Sequence, residues 1–294
     1  MDTGRKKRIG DRRDGRRLRT LDPYNALTPY IMKLRTDATN YFIDSIELTD
    51  IEKYLRKLRA DGYPGIGIVH LLIATFVRTA SQFPAINRFV SGQRIFARDK
   101  VEYVMTVKKE MRTNAPETSV KITLDLTDTI FEVYKKLNIE IAKVKGEGGA
   151  STSTDNAAMA FMKLPRLLLR SAIAVITCMD YFGIMPQSIV DASPFHGSLI
   201  ISDLGSIGIP TIYHHLYNFG NMPIFISIGA KRKAYELQSD GTVILRKYID
   251  YTLVMDERIC DGFYFSQAFK LFKHLLRFPH LLNLPPEKVI EDID

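Results

Sequence analysis

The chain has 294 residues, of which 46% are hydrophobic and 25% are charged, proportions that exclude a disordered or fibrous protein and favour a globular one. Its two cysteines, Cys178 and Cys260, lie far apart in the sequence, so we predict neither a disulfide framework nor a metal site. The lack of a disulfide framework predicts a reducing, cytoplasmic location. The charged N-terminus has no apolar segment of the kind that a secretory signal needs.

The net charge of +8 is concentrated at the N-terminus. Residues 1–19 contain nine Lys or Arg and three Asp, a net charge of +6, whereas the rest of the chain has a net charge of +2. Such an arm either contacts an anionic partner, for example nucleic acid, or forms a partly disordered or surface-laid tail. The interspersed Asp residues favour the tail. We therefore predict a basic arm at 1–19 and one domain at 20–294.

The first half of the domain alternates predicted helices and strands. Residues 49–52 (TDIE) form a capping box that begins an amphipathic helix. Residues 66–83 read as a buried apolar helix, in which His70 is expected to be a packed core residue. The other predicted elements are a helix at 28–42, strands at 42–48, 95–97, 103–108 and 120–126, of which 95–97 and 103–108 are expected to form a hairpin, and a helix at 127–145.

An unusually apolar stretch follows a linker-like segment at 146–156, which is rich in Gly, Ser and Thr. Residues 171–190 contain one charged residue, Asp180, and their length is near the ~20 residues that span a bilayer. A charged residue at the centre of a bilayer costs about 2.5–3.5 kcal/mol. The sequence therefore predicts helices packed on the protein body rather than a membrane span.

Two helices are predicted in this stretch, at about 157–169 and 171–182, and a buried helical hairpin is the favoured arrangement. The alternative is an interfacial hairpin whose basic side chains contact anionic lipid. The basic residues concerned are Lys163, Arg166 and Arg170.

The last third of the chain reads as buried strands followed by a helix. Residues 197–205 and 223–230 are apolar runs, and Ser239-Asp240-Gly241-Thr242 is a hairpin turn that leads into a strand at 243–255. Gly262 is expected to supply the backbone freedom for a strand-to-helix corner, after which Phe265, Phe269 and Phe272 fall on one helix face.

Three of these segments resemble the catalytic domain of dihydrolipoyl acyltransferases. DERICDG at 256–262 resembles the motif D-H-R-x-x-D-G, which is similar to the H-x-x-x-D-G of chloramphenicol acetyltransferases. GSLIISDLG at 197–205 resembles the family stretch G-T-F-T-I-S-N-L-G, and PIFISIGA at 223–230 resembles its apolar strand ending in I-G-A. The resemblance covers 196–282 most clearly and extends to most of 30–137. It implies an insertion at 147–193.

The resemblance implies a site for acyl transfer. In the family, the motif His is the general base, the Asp four residues later holds the site together through an arginine, and a Ser stabilises the oxyanion. The matching residues here are Glu257, in place of the His, Asp261 and Ser202. Glu is the poorer base for a thiol, because its reference pKa is about 4.3 rather than about 6.5. The residues expected to bind substrate are Gly262, Asp203, His214 and His215.

The implied fold is an α/β two-layer sandwich of the chloramphenicol acetyltransferase-like type, a mixed sheet with helices packed on one face, assembled as a homotrimer. The implied activity is transfer of an acyl group between a thioester, of acyl-CoA or acyl-lipoyl type, and a thiol or hydroxyl acceptor. Coenzyme A thioester would be a co-substrate, with no covalently bound cofactor and no lipoyl domain of the chain's own. The alternative is a catalytically inactive trimeric homologue that serves as a scaffold or binding module.

Overall fold

The computed structural model describes residues 6–108, 117–145 and 152–294, so parts of the predicted arm, linker and insertion lie outside the described residues. The strands are β1 Gly15–Arg17, β2 Thr39–Glu47, β3 Arg88–Ser91, β4 Arg94–Arg98, β5 Val101–Lys108, β6 Glu117–Leu124, β7 Leu199–Asp203, β8 Ile224–Leu237 and β9 Val243–Asp256. The helices are α1 Pro23–Ile31, α2 Thr49–Ala60, α3 Ile68–Gln82, α4 Ile130–Lys145, α5 Ser153–Met162, α6 Arg166–Tyr181, α7 Gln187–Ala192 and α8 Gly262–Arg277.

Six strands form one mixed sheet in the order β2-β9-β8-β7-β5-β6. Strand β7 runs parallel to both β5 and β8, and the other neighbouring pairs are antiparallel. The predicted mixed sheet is therefore confirmed, including the antiparallel pairing of β8 with β9 across the predicted hairpin turn.

The predicted hairpin between 95–97 and 103–108 is wrong. Strand β4 pairs with β1 and β3 in a separate three-stranded sheet, whereas β5 belongs to the six-stranded sheet. The chain reverses instead between β3 and β4, where Gly92 and Gln93 both have positive φ, of 54° and 56°. Two consecutive residues in this conformation are typical of a tight hairpin turn, and that turn fixes which strands pair.

Alternation along the central strands creates two layers. Leu253 of β9 faces the helices and belongs to the main core, while Val254 faces away and packs with Leu216 and Phe225. The aromatic side chains of α8 contact the helix-facing side, where the Tyr251 and Phe269 rings lie 6.5 Å apart. Buried residues of α2, α3, α4 and α8 all belong to the main core, so the predicted sandwich with helices on one face is confirmed.

The described part of the arm is built into the body from residue 11 onward. Strand β1 pairs with β4, and the side chain of Arg12 is buried against Asp14 and Asp180. Arg8 and Arg19 also bind carboxylates of this chain. A surface-laid tail is therefore the wrong description for this segment, because buried and paired arginines hold it in place.

The helical hairpin of the insertion is exposed rather than buried. Within α6, only Ile176 and Asp180 are buried, and the buried hairpin predicted for this segment is wrong. The C-terminal end of α6 joins the body through polar contacts, among them a 2.7 Å hydrogen bond from Tyr181 to Gln93. The buried residue Ile176 packs in a small cluster with Met185 and Val190, separate from the main core. Among the described residues, no helix is both long and apolar enough to cross a bilayer.

Candidate functional site

Strand β9 ends at a fully buried carboxylate that two arginines neutralise. Arg258 folds back onto Asp256 with bonds of 2.7 Å from Nε and 2.6 Å from Nη2, and Arg35 Nε donates to the same carboxylate at 3.3 Å. Arg35 also donates to the backbone carbonyls of Tyr217 and Val90. Burial and the charge of Arg258 lower the pKa of Arg35, and Asp256 opposes that shift. This cluster fixes the corner where the strand leads into α8.

Glu257 is the next residue and is only half-buried. Its backbone N–H donates to the carbonyl of Ala38, and its carboxylate accepts a 2.9 Å hydrogen bond from Asn40 Nδ2. No ion pair to Glu257 occurs among the described residues, because both nearby arginines bind Asp256 instead. Among the residues that the structure describes, the Glu257 carboxylate therefore has no counterion.

Asp261 is exposed and serves as the N-cap of α8, where its Oδ1 accepts a 2.9 Å hydrogen bond from the Tyr264 N–H. The expected arginine partner is absent within the described part of the chain, and Arg35 binds Asp256 instead. Gly262 has no positive φ, and a Cβ there would meet nothing within 4 Å. The expectation that this corner needs a glycine for backbone freedom is thus wrong, and Gly262 borders open space.

Ser202 lies near the end of β7, on the face of the sheet that points away from the helices. Its hydroxyl makes no hydrogen bond with any of the residues that the structure describes, so its donor is unused. Asp203 is committed to the following turn, since its Oδ1 accepts from the N–H of Ser206 at 3.0 Å. The two neighbours therefore differ: one closes a turn and the other presents a free hydroxyl.

A row of hydroxyl side chains crosses the sheet from Ser202. The register aligns Ser202 with Ser227 and Ser227 with Thr252. The loop after β7 is bound to the last two, because Thr211 Oγ1 donates to the Ser227 carbonyl and Thr252 Oγ1 donates to the Ile212 carbonyl. This loop closely approaches Gly229, where a Cβ would lie 2.5 Å from the Thr211 nitrogen.

The same loop carries the two predicted substrate-binding histidines. His214 is half-buried, stacked on Phe225 with ring centroids 3.9 Å apart, whereas His215 is exposed. Nδ1 of His214 lies 2.7 Å from the His215 carbonyl, which can only accept, so this nitrogen carries the proton and Nε2 is left as the acceptor. Burial lowers the pKa of His214, which favours the neutral ring.

Ser202 and Glu257 do not meet within one subunit. The register aligns Met255 with Ile224 and Ile224 with Leu199. Ser202 lies three residues beyond Leu199 along β7. Glu257 lies two residues beyond Met255 along β9, which runs in the opposite direction, so the two residues lie toward opposite ends of the strands. At strand dimensions, this separation is roughly 16 Å along the strands and 10 Å across them. A site that uses both side chains requires a second copy of the chain.

Two cavities, of about 350 and 650 Å³, lie away from these residues. The smaller is lined by side chains that include Lys121 and Asp191, and the larger by the segment around Asp99 and the C-terminal residues near Asp292. Neither includes Ser202 or Glu257. In the described residues, no group of three or more His, Cys, Asp or Glu side chains is placed to hold a metal ion.

Comparison of the whole structure identifies the fold. It is similar to a probable dihydrolipoamide acetyltransferase from Listeria monocytogenes, with 12% identity, a TM-score of 0.56, and coverage of 88% of this chain and 95% of that one. Dihydrolipoamide acetyltransferase from Azotobacter vinelandii gives 12% identity and a TM-score of 0.56 over 96% of both chains. A chloramphenicol acetyltransferase gives 10% identity and a TM-score of 0.51 over 88% and 99%.

The chain therefore has the chloramphenicol acetyltransferase-like fold that the sequence motifs predicted. No protein-family model and no curated protein matches the sequence. At sequence identities of 10–12%, this similarity shows the fold alone.

Sequence reasoning missed the cluster that organises this corner. The family resemblance implies an arginine partner for Asp261, whereas Arg35 and Arg258 both bind Asp256. One signal was available: Asp256 follows an apolar run at the end of β9, and a buried carboxylate needs a counterion. The identity of that counterion depends on tertiary contacts with a residue 221 positions away.

Proposed function

We propose that the protein is an acyltransferase that moves an acyl group from a thioester, of acyl-CoA or acyl-lipoyl type, to a thiol or hydroxyl acceptor. The observation that carries this proposal is the distribution of charge at the β9 corner. Both arginines bind Asp256, so the adjacent Glu257 keeps a carboxylate without a counterion. An unpaired, half-buried carboxylate is able to accept the proton of the attacking group. With an acyl-CoA donor, the coenzyme A thioester is the co-substrate, and the proposed reaction uses no covalently bound cofactor.

In this proposal Glu257 occupies the position of the motif His and Ser202 stabilises the oxyanion. An oxyanion donor must have a free hydrogen to give, and the Ser202 hydroxyl has no partner among the described residues. The turn bond from Ser206 directs the Asp203 carboxylate to its own loop, which reduces its repulsion of a developing negative charge. Asp261 orients the corner by capping α8.

We further propose that the site lies between subunits of a homotrimer in the cytoplasm. The support is the separation of roughly 19 Å between Ser202 and Glu257 that strand dimensions give within one chain. Cysteines at these two positions, in a Cys178→Ser background, test the assembly. A short bismaleimide should link the two positions between subunits and give covalent dimers and trimers on a denaturing gel. Monomers alone would contradict a shared site.

His214 is a second candidate for the base. It lies on the same sheet face as Ser202, its Nε2 is free to accept a proton, and its ring is held by stacking on Phe225. A neutral imidazole is also closer to a thiol in pKa than a carboxylate is. Substitution at both positions distinguishes the two candidates.

The decisive experiment measures thiol release from a panel of acyl-CoAs. If Glu257 is the base, Glu257→Gln should lower kcat by about 10²–10⁴-fold with little change in KM, while His214→Gln has a small effect. The reverse pattern would assign the base to His214. Glu287→Gln is the matched control, because Glu287 is exposed and distant in sequence from the corner.

The alternative is an inactive trimeric homologue that acts as a scaffold or binding module. It is favoured by the structural roles of the acidic residues. Asp256 pairs with two arginines, Asp203 closes a turn, and Asp261 caps a helix. A trimer that shows no turnover with any acyl-CoA or acyl-lipoyl donor, in wild type and in Glu257→His, would contradict the acyltransferase and favour this alternative.

A further inference from the structure

The end of the α5–α6 hairpin exposes a group of large apolar side chains. We call residues 159–170 the hairpin tip. Met162 is 75% exposed and Leu167 is 76% exposed, although both are side chains that proteins normally bury. Contiguous exposed apolar surface of this kind marks an interaction site in a folded protein. The other exposed apolar residues of the tip are Met159, Leu164 and Leu168.

The hairpin tip is also basic and contains no acidic residue. From Asn156 to Met179 the sequence contains three basic residues and no Asp or Glu. All three basic side chains are exposed, and none forms a hydrogen bond or ion pair within the described residues. They are Lys163, Arg166 and Arg170.

The base of the hairpin is fixed to the body. Asp180 binds Arg12 at 2.6 Å, Thr154 Oγ1 donates to the Ala192 carbonyl at 2.7 Å, and Ile176 is buried in a small apolar cluster. The fold thus anchors both helices at their body ends and presents the connection between them. The tip is therefore a presented surface and not a frayed terminus.

We propose that the hairpin tip docks on the surface of an anionic lipid bilayer. Apolar side chains beside unpaired cations match the boundary between acyl chains and acidic headgroups. Helix α6 has sixteen residues and is about 24 Å long, less than the ~30 Å hydrocarbon core, so the tip lies in the surface layer rather than across the membrane. A second copy is a poorer occupant, because two such tips would bring together six unpaired cations and no carboxylate. The proposal is independent of acyl transfer.

The test is flotation of the full chain with phosphatidylcholine vesicles, with and without phosphatidylserine. We expect binding to the anionic vesicles that weakens at high salt. The partition coefficient should fall about a hundredfold in the triple variant Lys163→Gln/Arg166→Gln/Arg170→Gln. Each lost charge should contribute a factor of roughly ten or less. Met162→Ser/Leu167→Ser should lower it by at least tenfold while the cations remain.

The matched control is Tyr235→Ser/Leu237→Ser on the β8–β9 hairpin, where the two side chains are 77% and 75% exposed. This variant should bind vesicles like the wild type, and all variants should keep the wild-type circular dichroism. Equal binding to neutral and anionic vesicles, or none to either, would overturn the proposal. So would a fall in assembly mass of Met162→Ser/Leu167→Ser in light scattering without lipid, since a second copy would then cover the tip.

Discussion

Arg12 and Asp180 form a buried ion pair across 168 residues of sequence, with 2.6 Å between Nη2 and Oδ1. Arg12 Nη1 also donates to the backbone carbonyl of Asp180 at 2.5 Å. Burial raises the pKa of Asp180, but His196 and Arg12 outweigh it and lower this pKa to about 2. The pair joins the basic N-terminal segment to the helical insertion, two regions that the sequence presents as unrelated.

Asp180→Asn should destabilise the protein by about 2–3 kcal/mol, because it removes one of the two carboxylates that pair with the buried Arg12 guanidinium and leaves Asp14 as the remaining counterion. Urea unfolding at neutral pH measures this loss. Asp50→Asn is the control, since its bond to Lys53 joins side chains that are 74% and 64% exposed, and the change should stay below about 1 kcal/mol. The contribution of Asp180 should be complete above pH 3.8 and lost as pH falls toward 2. Equal effects of the two substitutions would contradict the buried pair.

Asp256 and Glu257 should differ sharply in their effect on stability. Asp256→Asn removes the carboxylate that pairs with both Arg35 and Arg258, and we expect a loss of about 3–5 kcal/mol. Glu257→Gln keeps an acceptor for Asn40 and should change the free energy of unfolding by less than about 1 kcal/mol. Denaturant unfolding of both variants provides the comparison. A large loss in Glu257→Gln would show that this side chain is structural.

Asp261→Ala should cost about 1 kcal/mol, because α8 loses the side chain that caps its N-terminus. Asp261→Asn keeps a capping oxygen and should retain nearly all of the stability. Thermal unfolding followed by circular dichroism measures both. If the two variants lose equally, the charge of Asp261 matters more than its hydrogen bond to the Tyr264 N–H.

His70 should make the stability depend on pH below neutrality. It is buried in α3, and burial lowers its pKa from 6.5 to about 4. Between these values the unfolded chain binds a proton that the folded protein does not, so stability falls as pH decreases from 6.5 to about 4. The loss approaches about 3 kcal/mol. Urea unfolding of wild type and His70→Gln across this pH range tests the prediction. If the free energies of unfolding of the two proteins change with pH in parallel, His70 is not the cause of the loss.

The central sheet could be predicted because its sequence signals are local. Apolar runs mark β7, β8 and β9, the turn at Ser239–Thr242 joins the last two, and alternation assigns Leu253 and Val254 to opposite faces. His70 could likewise be placed in the core from the apolar helix around it. Periodicity and turn chemistry act over a few residues, so one sequence contains the needed information.

The ion pairs and the hairpin tip could not be predicted in the same way. Four charged residues stand at the end of β9, and only the folded chain determines that Asp256, rather than Asp261, meets Arg35. The apolar composition of the insertion indicated burial, yet Leu167 is exposed. Composition reports how apolar a segment is, whereas its location depends on the surfaces that the remaining chain leaves uncovered.

The geometry at the β9 corner has a consequence for which substitutions the protein tolerates. Because Asp256 pairs with two buried arginines, we expect a substitution at this position to disrupt the fold and a substitution at Glu257 to leave it intact. Glu257 contributes one hydrogen bond at the surface, so substitutions there arise in a protein that keeps its shape. We therefore expect single substitutions at Glu257 to remove or replace a proton acceptor in a chain that still folds.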